Sequence, residues 1–344
     1  MTAGWRAALH ICAAAVLAAA AVAVLPGALE LFALINATVW AAMALLALSL
    51  AFAWGAGGIL CFGQTAFFGL GGYAYAVAGI NFADGALAVP VALAVATLAA
   101  AALGWLMFYG RVGDVYMGVI TLTVTLILFK FANSTAGEQW RIGSAPLGGF
   151  NGIPQTPPLN WPGEPDNPLT PEQVFAVAVL CLFGCYAAVK LVLLTRFGRV
   201  AVAIKENELR AELLGYDVRA HRLGVFTIGG AMAGLAGVLF ANCVFVSPTM
   251  FSLAYAGQVV IWVLVGGVGT FAGPMAACVA LQALTAWAGT VPGFDPNLLL
   301  GGVLLLAVVA VPRGLLPTAQ GLLGRLRPRR RPRVAEERPM APAE

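Results

Sequence analysis

The sequence predicts an all-α fold: a polytopic transmembrane helical bundle of about ten helices with both termini in the cytoplasm. Three observations predict it. Of the 344 residues, 61% are hydrophobic and only 10% charged, against about 25% charged in soluble domains. Apolar runs recur at the length a membrane helix needs, about 17–25 residues. Runs such as AAAVLAAAAVAVL and GGVLLLAVVAV lack the alternation that a membrane β-barrel strand requires.

Ten spans are expected, at 8–25, 30–50, 63–80, 87–108, 115–132, 172–195, 223–245, 255–272, 273–291 and 297–312. The first follows Arg6 and has the outline of a secretory signal. Val24-Leu25-Pro26 is a poor cleavage site, so a retained helix is expected. Around the third span, Gly55–Gly72 combines seven glycines with Gln64 and Thr65. Two readings stand there: tight packing with Gln64 bonding across helices, or an unwound helix beside a transport path. In the fifth span Thr121 and Thr125 share one face, with Tyr116 near the start and Asn133 at the end. Their hydroxyls either line a pore or bond carbonyls of their own helix.

Residues 133–171 hold eight prolines between Pro146 and Pro171 and are expected to form an external loop rather than a soluble domain. Such a loop is a connector, or a surface that meets an external partner or covers a substrate entrance. In the seventh span GGAMAGLAG (229–237) sets small residues four apart, a helix-packing face. Gly266-Gly267-Val268-Gly269-Thr270, after Gln258 and before Gly273-Pro274, ends the eighth span and starts the ninth. It forms a tight turn, or offers helix ends to a polar solute. A transmembrane domain is expected over 1–324, and 325–344 as a disordered basic tail, with six arginines in 325–333 facing anionic lipid.

Charge sets the orientation. Seventeen Lys and Arg fall on one side of this arrangement, and only Lys130 and Arg141 on the other. The positive-inside bias places the richer side in the cytoplasm. The six cysteines lie in or beside apolar spans with no metal-like spacing, and read as small apolar fillers. The spans hold no paired carboxylates, no Ser-His-Asp set and no HExxH, and the chain has no Walker A pattern. Neither enzyme chemistry nor a cofactor or metal is expected. No ion-coupling acid is evident within the membrane, which points to an energy source on another chain.

The most informative stretch is Arg196–Arg222, RFGRVAVAIKENELRAELLGYDVRAHR, with six basic and four acidic residues between apolar spans. It predicts a short helix stopped at Leu214-Gly215, with Glu206 and Arg210 as an i,i+4 pair. Ile204, Ala211, Leu213 and Leu214 place apolar groups among the charges, as a docking helix requires. A solvated connector is the other reading.

The segment AIKENELRAELLGYDV (203–218) resembles the ENE-x-x-A-x-x-LG loop of inner-membrane permeases from ABC importers for branched-chain amino acids and urea. GQTAFFGLGGYAYA (63–76) and VVIWVLVGGVGTFAGP (259–274) match the same family in the same order, and the similarity covers residues 30–315. The resemblance implies a non-catalytic subunit in the bacterial inner membrane. It also implies a second related permease, two cytoplasmic ABC ATPases and a periplasmic solute-binding protein as partners, and no nucleic acid. Carried over residue by residue, it implies ATPase coupling through Lys205, Glu206, Asn207, Glu208, Ala211, Leu214 and Gly215. Gln64, Thr65, Thr121, Thr125 and Gln258 are candidates for the translocation path. KFANSTAGEQWRIGSAPLGGFNGIP (130–154) departs from the amino-acid members and keeps GGFNGI at 148–153, nearer the urea-like ones. The solute is thus a branched-chain or other amino acid, urea or a short amide. The alternative is a self-contained secondary transporter or channel for a small polar solute.

Overall fold

A computed structural model of the protein describes residues 3–137 and 139–290, with 300–303, 305, 314, 315 and 318 beyond them. Eleven helices are described: α1 Ala3–Ala28, α2 Leu31–Gly57, α3 Gln64–Phe82, α4 Gly85–Tyr109, α5 Asp114–Ser134, α6 Pro171–Leu194, α7 Arg196–Glu206, α8 Glu208–Leu213, α9 Val218–Ala241, α10 Leu253–Gly266 and α11 Ala272–Ala288. The first nine expected spans each fall on a helix. The tenth, 297–312, lies outside the described residues apart from 300–303 and 305, which are helical. Asp295, Arg313 and the tail 325–344 also lie outside them. Among the described residues six helices are long and apolar enough to cross a membrane: α1, α2, α4, α5, α6 and α9. α10 and α11 are apolar but shorter.

Capping residues mark where helices begin. Asp84 caps α4 through the Ala86 and Leu87 amides, and Thr170 with Gln173 forms a capping box on α6. Asp217 caps α9 and Ser252 caps α10. α9 is the centre of the bundle, packed on α2, α3 and α4. Its small residues allow this. A Cβ at Gly230 would fall on Ala100, one at Gly234 on Ala96, and one at Gly237 on the Phe68 carbonyl. Phe67 and Phe226 meet edge to face across the same seam, with ring centroids 5.5 Å apart.

The 135–170 insert is ordered, with two small hairpins, β1 Arg141–Ile142 with β2 Ala145–Pro146, and β3 Asn160–Trp161 with β4 Glu164–Pro168. The spans hold it through polar side chains. Asn242 accepts from the Leu159 amide at 2.7 Å and from the Tyr75 hydroxyl at 3.1 Å. Asn160 accepts from the Ala86 amide at 2.9 Å, and Asn81 binds both Ile142 and Ser144. Beyond α9 the Ile153 amide donates to the Val246 carbonyl, and a 3₁₀ turn, Pro248–Phe251, then dips against α3 at Gly69 and Gly72. Pro248, Met250 and Phe251 are thus buried just before α10 begins. The expected glycine punctuation follows: α10 ends at Gly266, Gly267 and Gly269 take positive φ, and Pro274 sits in the first turn of α11.

Candidate functional site

The charged stretch folds as two helices where one was expected. Asn207 leaves the helical region (φ −157°, ψ 99°), and its side chain accepts from the Arg210 amide at 2.8 Å to cap α8. An Asn side chain that binds the backbone three residues on competes with helix continuation. The break corrects the expected Glu206–Arg210 pair, because the i,i+4 geometry needs one continuous helix. Among the described residues Glu208, not Glu206, makes an ion pair, with Arg222 at 3.0 Å. The glycine stop stands as expected, with Gly215 at φ +85°.

The apolar residues of this loop divide into two sets. Ile204, Ala211 and Val218 are buried together, Ala211 being only 3% exposed, and they fold α7, α8 and the start of α9 onto one another. Leu209, Leu213 and Leu214 point away at 66%, 80% and 72% exposure. Three exposed leucines beside Glu206, Glu208, Arg210 and Glu212 form an apolar ridge in a charged rim. Lys205 reaches back from the last turn of α7, and its Nζ donates to the Gly55 carbonyl at 2.7 Å. Gly55 lies in the last turn of α2, whose terminal carbonyls have no intrahelical donor and whose dipole favours a cation. Gly55 also faces Gly269 of the α10–α11 turn. The loop is thus moored to the end of one span.

The five path candidates lie on α3, α5 and α10. Gln64 is buried, and its Nε2 donates to Ser49 Oγ of α2 at 3.0 Å, a bond across helices. Thr121 and Thr125 are buried and bond carbonyls of their own helix, Gly118 and Thr121. Thr65 is buried, with no partner for its hydroxyl among the described residues. Gln258 is half-buried on α10. Gly63 lies so close to α5 that a Cβ would meet the Thr121 carbonyl. A cavity of about 500 Å³ between α3, α4 and α5 is lined by Tyr73, Asn81, Phe131 and Phe251 among others, and by none of the five candidates.

Residues 32–309 match the family described as "Branched-chain amino acid transport system / permease component". The chain belongs to this permease family. Among curated proteins, the permease is similar to the high-affinity branched-chain amino acid transport system permease protein LivM of Escherichia coli (strain K12). That match is 33% identical over 147 residues, 42% of this chain and 34% of that protein. LivM of Salmonella typhimurium matches over the same length at 33% identity. The xylose transport system permease protein XylH of Escherichia coli (strain K12) is 32% identical over 146 residues, 40% of this chain and 36% of that protein. These matches span about a third of each relative's length. No solved structure matches the chain. The permease is a multi-pass inner-membrane protein of ABC transport, a transport component and not an enzyme.

Three residues stand out in the structure that the sequence pattern does not single out: Leu209, Arg222 and Asn242. Leu209 stands four residues before Leu213, a helical spacing visible in the sequence. Arg222 is one of six basic residues in its stretch, and Asn242 is a lone polar residue at the end of a span. Their partners lie far along the chain, so no local pattern marks them.

Proposed function

We propose that the permease is the membrane-spanning part of an ATP-driven importer in which α8 is the docking element for cytoplasmic ABC ATPases. The observation that carries this reading is the exposed ridge of Leu209, Leu213 and Leu214 on a short charged helix outside the apolar bundle. Fully burying a leucine is worth about 1.5–3 kcal/mol, so a ridge left in water favours a protein partner. Glu206, Glu208 and Arg210 supply its polar rim. Lys205 and the Ile204–Ala211–Val218 cluster hold the helix in register with α2 and α9. ATP-driven closure of two ATPases would move α8 and shift the bundle between states open to either side.

The complete importer pairs this chain with a second related permease and receives solute from a periplasmic binding protein. Within it, residues 1–324 act as the permease domain and 325–344 as a basic lipid-facing tail. The solute is a small polar molecule, with a branched-chain amino acid first because of the family description and the LivM likeness. Urea or a short amide follows from the 148–153 segment, and the XylH likeness extends the class to a sugar. Gln64, Thr65, Thr121, Thr125 and Gln258 remain the proposed path.

Uptake by the assembled complex in vesicles tests this. Leu214→Asp and Glu208→Lys are expected to abolish uptake and ATPase co-purification while the chain still inserts. Normal ATPase association in both variants would sink the docking role. Uptake by vesicles containing this chain alone would establish a self-contained transporter instead.

A further inference from the structure

Asp114 opens α5, Glu208 opens α8, and Arg222 lies in the second turn of α9. Arg222 joins all three. Its Nη1 is 3.3 Å from Asp114 Oδ1 and its Nη2 3.0 Å from Glu208 Oε2. The Arg222 side chain is 15% exposed, whereas Asp114 and Glu208 are 60% and 50% exposed. A half-buried, planar guanidinium with separated donors holds two carboxylates on two elements at once, which a lysine ammonium cannot do in fixed geometry.

What lies beyond Asp114 gives the bridge its meaning. α5 touches α3 and α10 and is held at its far end by the 3₁₀ turns Gly149–Asn151 and Pro248–Phe251. Near its start, Gly118 meets Phe62 and Thr121 meets Gly63, while Val115 and Tyr116 are exposed. Among the described residues, Arg222 carries the ion pairs that connect the charged loop to this helix. A polar cavity of about 560 Å³ separates the 109–114 connection from α8 and the start of α9, and Asp114, Glu208 and Arg222 all line it. The first turn of α5 and α8 therefore have space between them and a charged bridge across it.

We propose that Arg222 is a positioning residue that ties the first turn of α5 to α8, so that movement of α8 is passed to α5. The proposal rests on the docking reading of α8. Asp114→Asn releases α5 while leaving the Glu208–Arg222 contact and the leucine ridge untouched. Asp114→Glu keeps the charge and reaches as far.

The experiment measures three quantities on the full complex in vesicles: ATPase bound per permease, ATP hydrolysed, and solute taken up per ATP. For Asp114→Asn, bound ATPase and hydrolysis stay at the wild-type level and uptake per ATP falls by about 5- to 150-fold, the span of ordinary coupling between sites. Asp114→Glu restores it. Unchanged uptake per ATP in Asp114→Asn would overturn the tether. Loss of bound ATPase in that variant would overturn it too, by moving Asp114 into the docking surface. Wild-type permease that binds no ATPase would overturn docking itself, and the tether with it.

Discussion

Two polar inserts interrupt this apolar chain, and they dispose of their side chains in opposite ways. The 135–170 insert is held from within: its own buried Asn160 and the spans' Asn81, Tyr75 and Asn242 join backbone groups of the insert and of the spans. In the 196–217 insert the leucines of α8 turn outward and the moorings are few: Lys205, Arg222 and one small cluster. Backbone groups at a membrane surface must find partners, and the first insert finds them within the chain. The second leaves Leu209, Leu213 and Leu214 exposed. One insert is tied into the bundle by hydrogen bonds; the other keeps an uncovered apolar ridge, which the proposed docking would cover.

The largest test of that contrast strikes the ridge. Leu209→Ala with Leu213→Ala is expected to weaken ATPase binding by about 2–4 kcal/mol, as truncated anchors do. Titration of ATPase onto permease in nanodiscs measures it, and unaltered affinity breaks the contrast. Next comes the clamp on the other insert. Asn242→Ala strips the Leu159 amide and Tyr75 hydroxyl of an acceptor and should cost about 1–3 kcal/mol. It is read as lower thermal stability and faster proteolysis within 150–168, with ATPase binding unchanged.

A smaller effect is expected for Lys205→Met, which removes the bond to the Gly55 carbonyl. Solvent screening at this exposed site limits the loss to about 1 kcal/mol. A thermal melt in detergent measures it, and a shift as large as that of Asn242→Ala would place the two inserts on equal footing. The smallest concerns acid. Burial works to raise the Asp84 carboxyl, but hydrogen bonds from Asn160 and the Leu87 and Ala86 amides prevail and hold it below its ordinary value. A depressed carboxylate stabilises the fold above its unfolded value, near pH 4, and the contribution is lost as pH falls through the folded value. Asp84→Asn should flatten this acid limb of insert protease resistance. Titration of the ATPase contact should show no change from Asp84→Asn.

The helix bundle was readable because a membrane helix announces itself by length and hydropathy, and nine of the ten expected spans fall on described helices. Glycine and proline placed the α10–α11 turn as well, since positive φ and a missing amide are local matters. The candidate site was readable only as a neighbourhood. Sequence spacing set Glu206 against Arg210, but the Asn207 cap competes with the helix and splits it. Ala211 and Leu214 looked alike among the charges, although one packs inside and the other projects into water. Which face of a short helix is buried depends on how α7 and the start of α9 fold against it. Gln64 and Thr121 were equally ambiguous, because a polar group in a span serves either a neighbouring helix or a solute.

The short α10 has a consequence for how the chain is made. Its 14 residues rise about 21 Å, less than the roughly 30 Å of a bilayer core. Released alone during synthesis, such a segment would not hold a spanning position, and its ends would present unpaired backbone groups to lipid. α10 and α11 are therefore expected to enter the membrane as one hairpin, with α2 as the surface that receives it. A nascent chain stopped at Gly266 would leave α10 outside the bundle, while one carried past Ala288 would seat both.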